Sequence, residues 1–179
     1  MKNISVRKLS KNPDIRYSSL LSCLEPVNFF SNKKANIGTL PYLEVVNWYK
    51  KLGKVKNLDD MCSLFTFVYQ IEPWEFWGEN VVNFFAAKNF IEKDFKNRQE
   101  AEAKLLQGSS VDPLMWKAAG GDSLRNFSTT SPLDDLCQRY GGYPFDLGKQ
   151  PYNQIMWLIT QSTRKTIVNA NYQKLISGK

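Results

Sequence analysis

The chain of 179 residues contains no histidine. Histidine is the commonest general base and a frequent zinc ligand, so its absence excludes the usual catalytic triads and most zinc sites. The sequence also has no phosphate-binding glycine loop, no paired-cysteine motif and no calcium-binding loop. We therefore expect a non-enzymatic protein with no catalytic residue, no metal site and no cofactor.

Cysteines are few, and long apolar runs are missing. Cys23, Cys62 and Cys137 are far apart and set among apolar neighbours, which predicts reduced and mostly buried thiols. No apolar run approaches the ~20 residues of a membrane span, and the first residues lack the apolar core of a secretory signal. We expect a soluble protein that is made in a cytoplasm and has no membrane partner.

Positive charge is concentrated in the N-terminal third of the chain. Residues 1–56 carry eleven Lys or Arg against three acids, whereas residues 57–110 carry five against nine. Residues 111–179 carry eight against five, and the formal net charge of the whole chain is +7. A basic segment beside an acidic one suits head-to-tail contact between copies as well as it suits nucleic acid.

The stretch from Glu79 to Gln107 predicts a long amphipathic helix, because apolar residues recur there at helical spacing. These residues are Val81, Val82, Phe84, Phe85, Phe90, Ile91 and Phe95. The second half of the stretch is charged and is expected to face solvent or a partner. We predict an all-α fold, a helical bundle around this long central helix at about 79–107. Residues 1–107 would form the bundle with an N-terminal arm, and residues 108–179 a small C-terminal helical subdomain.

Capping residues and prolines divide the rest of the chain into further elements. Residues 4–6 allow a short strand or an extended arm, residues 26–39 form a loop, and residues 74–78 form a connector. Ser131 to Asp134 resembles a capping box. The predicted helices, in chain order, are 13–24, 41–52, 58–71, 79–107, 113–119, 132–140 and 151–175.

Two groups of residues are candidate partner-binding surfaces. Large aromatic residues in the connector either fill the local core or anchor another subunit, and filling the core is the more frequent role. These residues are Trp74, Phe76 and Trp77. Basic residues of the N-terminal third form either a binding surface or a solvated face. These residues are Arg7, Lys8, Lys11, Arg16, Lys33 and Lys34.

Acidic residues give weaker evidence for a functional site. Asp134 and Asp135 are favoured in the first turn of a helix by its dipole without any metal, and no further ligands accompany them. Glu72, Glu75 and Glu79 surround the tryptophans and fit a solvated helix entrance better than a carboxylate site.

The segment from Leu105 to Leu136 resembles small helical proteins of tailed bacteriophages. Its order is Lys104-Leu105-Leu106 at a helix end, then Asp112-Pro113, Ala119-Gly120-Gly121-Asp122-Ser123-Leu124, Phe127 and Leu133-Asp134-Asp135-Leu136. Such proteins belong to tail and neck assembly modules, including those of crAss-like phages. The resemblance implies a non-enzymatic virion component that is made in the host cytoplasm. It would be a homo-oligomeric ring or adaptor subunit between portal and tail, in contact with other virion proteins.

Three alternatives stay open. The resemblance also fits a tail assembly chaperone, and the charge distribution fits a basic helical protein that binds nucleic acid. A small enzyme with a site that sequence motifs do not show is the third alternative. A nucleic-acid binder should gather its basic residues on one continuous face, whereas a ring subunit should divide them between two surfaces that meet across copies.

Overall fold

The computed structural model describes residues 4–11, 21, 23–55, 57–106, 117–118, 120, 123 and 130–177. These residues are mostly helical, as the sequence predicts, with eight α-helices, a 3-10 turn at Ile37–Thr39 and one small sheet among them. The helices are α1 (Val6–Lys11), α2 (Tyr42–Leu52), α3 (Leu58–Tyr69), α4 (Pro73–Gly78), α5 (Val81–Leu106), α6 (Ser131–Tyr140), α7 (Pro144–Gly148) and α8 (Tyr152–Ile176). The sheet pairs β1 (Phe29–Phe30) with β2 (Lys33–Lys34).

The chain divides into two compact units. Unit 1 comprises Met1–Ile37 and Trp48–Arg98, and unit 2 comprises Gly38–Asn47 and Gln99–Lys179. The predicted domain boundary between residues 107 and 108 lies outside the described residues. Most of the predicted helix at 13–24 and most of the one at 113–119 lie outside them as well.

An aromatic cluster forms the core of unit 1. Phe65 of α3 has its ring centroid 4.6 Å from Phe30, 5.3 Å from Phe76 and 5.3 Å from Phe84. These four rings come from α3, the hairpin, α4 and α5, and each is almost fully buried. Buried aromatic side chains contribute large apolar areas, and edge-to-face pairs add roughly 0.5–1.5 kcal/mol each. The cluster therefore joins four elements of unit 1, namely the hairpin, α3, α4 and the first half of α5.

The hairpin lies within the stretch that the sequence predicts to be a loop. Phe29 pairs with Lys34 and Phe30 with Lys33, around a two-residue turn at Ser31 and Asn32. Both turn residues have positive φ, at 48° and 59°, as a type I′ turn requires. Strand alternation exposes Phe29 and buries Phe30 in the core.

Helix α1 replaces part of the predicted N-terminal strand or arm. Ser5 still forms a single antiparallel bridge with Asn80, and the helix begins at the next residue. The amide of Val6 donates to the carbonyl of Glu79, and the amide of Val81 donates to the carbonyl of Ile4, both at 2.9 Å. Val6 is fully buried. These contacts attach the start of α1 to the start of α5.

The core of unit 2 joins segments that are distant in sequence. Tyr42 donates its amide to the carbonyl of Gln150, and Tyr152 donates its amide to the carbonyl of Leu40. The two tyrosine rings stack with centroids 5.8 Å apart. Gly148 closes α7 where a Cβ atom would clash with the Leu43 side chain, so a larger residue there would force that side chain to move.

Several local predictions are wrong. The predicted connector at 74–78 is the one-turn helix α4. The N-cap residue of α6 is Thr130, and no side-chain cap bond forms, so the predicted capping box at Ser131 is absent from this described segment. Cys62 is buried, but Cys137 is half-buried and Cys23 is exposed, because Cys23 lies in a turn of the chain before β1. No helix among the described residues is long and apolar enough to cross a membrane.

Candidate interaction surface

Helix α4 exposes Trp74 to solvent and buries Phe76. A capping box between Glu72 and Glu75 and the proline at its first position fix the start of this helix. Trp74 is 69% exposed, whereas Phe76 has no exposed surface. Trp77 is half-buried and packs edge-on against Phe76, with ring centroids 5.1 Å apart.

This arrangement separates the three aromatic candidates by role. Phe76 is a core residue that a partner cannot reach, so its place among the candidate contact residues is corrected. Trp77 supports Phe76 from the edge of the core. Trp74 is the one of the three whose ring is available to another molecule, and an exposed tryptophan is an effective anchor at protein interfaces.

The basic residues of α1 share one face of that helix. Successive residues of an α-helix are rotated by about 100°, so Arg7, Lys8 and Lys11 fall within a single arc of about that width. Val6 and Leu9 point the opposite way, and they are buried and half-buried respectively. The three cations are exposed, and no acidic side chain of the described residues forms an ion pair with them.

Helix α1 packs directly against α4. The two helices that carry the candidate features, the basic N-terminal residues and the exposed tryptophan, are therefore neighbours in unit 1. We call the exposed residues Arg7, Lys8, Lys11 and Trp74 together the α1–α4 surface. Trp74 lies more than sixty positions from the three cations in the chain, so sequence spacing gave no signal that α1 and α4 pack together.

The hairpin lysines have different roles. The ammonium group of Lys33 donates to the carbonyl of Gln70 at 2.6 Å and lies 3.8 Å from a carboxylate oxygen of Glu75. Ser31 also donates to Glu75, so this carboxylate holds the hairpin against α4. Lys33 is therefore largely committed within unit 1, and Lys34 is exposed on β2. Arg16 lies outside the described residues.

Acidic residues flank helix α4, which carries the tryptophan of this surface. Glu72 and Glu79 flank α4, and Glu79 accepts hydrogen bonds from the amide of Asn80 and the side chain of Asn83. Carboxylates close to lysines reduce the positive potential that attracts phosphate groups. A surface with both signs of charge and an exposed tryptophan matches a protein partner better than a nucleic-acid backbone.

Unit 1 also contains a polar pocket of about 590 Å³. It is lined in part by Asn28, Lys34 and Phe90, and by an ion pair in which Arg98 donates to Asp94 at 2.6 Å. Hydrogen-bonded ion pairs of this kind are common on helix surfaces at four-residue spacing.

One buried acid lies in unit 2. Glu102 is 7% exposed, and burial raises its pKa above the ordinary value, while a hydrogen bond from Tyr42 acts in the opposite direction. A buried carboxyl of this kind can mark an active site. Within the described ranges, however, no three His, Cys, Asp or Glu side chains lie close enough together to hold a metal ion. Glu102 contacts a tyrosine of the core, and we assign it a structural role.

Comparison of the chain with family models, with curated proteins and with solved structures finds no match. Function must therefore be argued from the residues of the chain itself.

Proposed function

We propose that the protein is a non-enzymatic structural subunit of a tailed-phage particle, a ring or adaptor subunit of the tail or neck. In this proposal the α1–α4 surface contacts an acidic surface, which belongs either to the next copy of the chain or to another virion protein. A tail assembly chaperone would use the same surface on a transient partner.

The exposed cations of α1 carry the proposal. Arg7, Lys8 and Lys11 face away from the core, and α1 packs on the helix that exposes Trp74. An aromatic anchor with charges around it is the usual composition of a specific protein contact. The basic N-terminal third and the acidic middle third give copies of the chain complementary charges.

The finer architecture belongs to the same proposal. We propose a helical bundle arranged around the long helix α5, with the C-terminal helices as a smaller subdomain. The aromatic cluster supports this arrangement within unit 1, because Phe84 of α5 contacts both Phe65 and Phe76.

Charge reversal tests the proposed contact. The triple variant Arg7→Glu, Lys8→Glu, Lys11→Glu should impair assembly while its circular dichroism and thermal melting match those of the parent. The matched control is Lys54→Glu, Lys93→Glu, Lys104→Glu, which makes the same change in net charge at exposed positions elsewhere. Native mass spectrometry and size-exclusion chromatography measure the assembly. The parent assembly should also weaken with added salt, because exposed charges are screened beyond about 8–10 Å at physiological ionic strength.

The same variant tests the nucleic-acid alternative. If α1 binds phosphates, the triple variant should lose affinity for DNA or RNA in a titration, and its assembly should be unchanged. If the triple variant assembles and binds as the parent does, the α1 cations form only a solvated face. That result would contradict the proposal.

A further inference from the structure

Helix α8 has two apolar faces, and only one of them is packed in unit 2. Tyr152, Ile155 and Ile159 are buried on the inner face. At about 100° per residue, Trp157, Val168 and Leu175 fall on the opposite side of the helix.

The residues on this outer side are strongly exposed. Trp157 is 62%, Val168 63% and Leu175 81% exposed, and Tyr172 lies beside them on the same face. We call these four residues the α8 stripe. It extends over about 27 Å of helix at 1.5 Å per residue. Large apolar residues exposed along one side of a helix are a candidate interaction site on a folded protein.

A shallow groove of about 550 Å³ follows the stripe from Trp157 to Val168. Arg164 and Lys165 line it together with Gln161. Helix α8 contains no acidic residue from Tyr152 to Ile176. The charges that α8 itself places along the stripe are therefore positive, and acidic residues of a partner would complement them.

We infer that the α8 stripe is a docking site for an amphipathic helix of another protein, with apolar seam residues and acidic flanks. The partner's apolar residues would cover Trp157 and Val168, and its carboxylates would pair with Arg164 and Lys165. Helix pairs of this type place an apolar seam between the helices and charged residues at its edges. The inference rests on unit 2 alone and does not depend on the proposed function.

The charge pattern argues against a second copy of α8 as the occupant. In a parallel pair, Arg164 and Lys165 would face the same residues of the other copy. In an antiparallel pair that covers the stripe end to end, the crossing point lies near residue 166, so the same cations again meet within one helical turn. Like charges placed opposite each other oppose association.

The shape of the stripe argues against a lipid surface. A helix that lies on a bilayer buries a broad apolar face and carries many basic residues on the other face. Here Gln161, Arg164 and Lys165 interrupt the apolar residues at the middle of the stripe. A narrow seam with flanking charges is the geometry of a helix–helix contact.

Two synthetic amphipathic peptides test the inference with the full-length chain. Both carry leucine at the seam positions of successive heptads, and they differ only in having glutamate or lysine at the flanking positions. Fluorescence anisotropy of the labelled peptides should show that the glutamate peptide binds at least about tenfold more tightly. The double variant Arg164→Glu, Lys165→Glu should reverse this preference.

A matched pair of variants locates the contact. Val168→Asn places an amide on the stripe, and Ala170→Asn places the same group at an exposed position on the opposite side of the helix. We expect Val168→Asn to weaken binding of the glutamate peptide at least about tenfold, because it removes an apolar contact and leaves a polar group in the seam. Ala170→Asn should bind as the parent does. Circular dichroism verifies that both variants are folded.

Four results would overturn the inference. Neither peptide binds, or both bind equally well. Sedimentation equilibrium shows a dimer that Val168→Asn abolishes, which identifies a second copy as the occupant. The parent sediments with phosphatidylserine vesicles and loses this binding in Val168→Asn, which identifies a lipid surface.

Discussion

The hydroxyl of Tyr42 donates a 2.5 Å hydrogen bond to the carboxyl of Glu102, and the two residues lie sixty positions apart. Among the residues that the structure describes, Glu102 is the one charged residue that is buried. Removing a carboxylate from water disfavours its charged form. Burial accordingly raises the pKa of Glu102, and burial beside this carboxyl raises the pKa of Tyr42 as well. The pair therefore couples the packing of unit 2 to pH.

The sign of this coupling gives the first prediction. Because the pKa of Glu102 is higher in the folded protein than its ordinary value of 4.5, the folded state binds the proton more tightly. Protonation of Glu102 therefore stabilises the folded state. Its contribution to the free energy of unfolding is fully present below the ordinary pKa and is lost as the pH rises through the folded-state pKa. Glu102→Gln cannot titrate. Urea unfolding at a series of pH values should show that the parent loses stability relative to Glu102→Gln as the pH rises above the ordinary carboxyl pKa of 4.5.

Two further variants control this measurement. Glu100→Gln makes the same change at an exposed position of α5 and should not alter the pH dependence in this way. Tyr42→Phe removes the donor and should cost about 1–3 kcal/mol at neutral pH, because a buried acceptor loses its hydrogen bond. If Glu102→Gln and the parent had parallel pH profiles, Glu102 would not be the titrating group.

The second prediction concerns the phenylalanines of α5. Phe84 and Phe95 are almost fully buried in unit 1, and Phe95 also contacts Tyr49 with ring centroids 5.2 Å apart. Alanine at either position should reduce the free energy of unfolding by about 3–5 kcal/mol. Phe85 is half-buried, so alanine there should cost less, roughly 1–2 kcal/mol. Near-neutral values at Phe84 and Phe95 in chemical denaturation would show that α5 is peripheral to the core.

Long periodic segments were predictable from the sequence because their signals are redundant. The helix predicted at 79–107 is Val81–Leu106, and the one predicted at 151–175 is Tyr152–Ile176. Asn57, which precedes the helix predicted at 58–71, caps α3, since its side chain accepts a hydrogen bond from the amide of Asp60 at 2.7 Å. Apolar periodicity, caps and charge pairs point to the same elements in these segments.

Short elements and the candidate surface were not predictable in the same way. Strands of two residues are too short to show alternation, and Ser31-Asn32 is a weaker turn signal than Asn-Gly. A single turn such as α4 cannot display helical periodicity. The sequence indicated Arg7 and Trp74 as separate candidate contact residues. That they lie on neighbouring helices depends on the tertiary packing of α1 against α4. Local patterns do not encode such a contact.

The third prediction orders the reactivity of the cysteines. The thiolate is the reactive form, so both exposure and pKa determine the rate of alkylation. Cys23 is exposed, Cys137 is half-buried, and Cys62 is buried with its pKa raised by burial. Iodoacetamide labelling of the folded protein, followed by peptide mass spectrometry, should modify Cys23 first and Cys62 last. The rates at these two positions should differ by more than about tenfold, and equal rates would contradict the burial of Cys62.

The last prediction compares two tryptophans of one short helix. Trp74 is exposed, so Trp74→Ala should change the free energy of unfolding by no more than about 0.5 kcal/mol, as is usual for surface substitutions. Trp77 packs against Phe76, and Trp77→Ala should cost about 2 kcal/mol through lost apolar contact.

If the α1–α4 surface binds a protein partner, Trp74→Ala should impair assembly although its stability is unchanged, because a central aromatic anchor contributes a large share of binding energy. Trp77→Ala serves as the control for stability, since it should lower the melting temperature without a specific effect on assembly at temperatures where it is folded. Thermal melting and native mass spectrometry on the two variants give both readouts. An assembly defect that follows stability in both variants would show that Trp74 is not a contact residue.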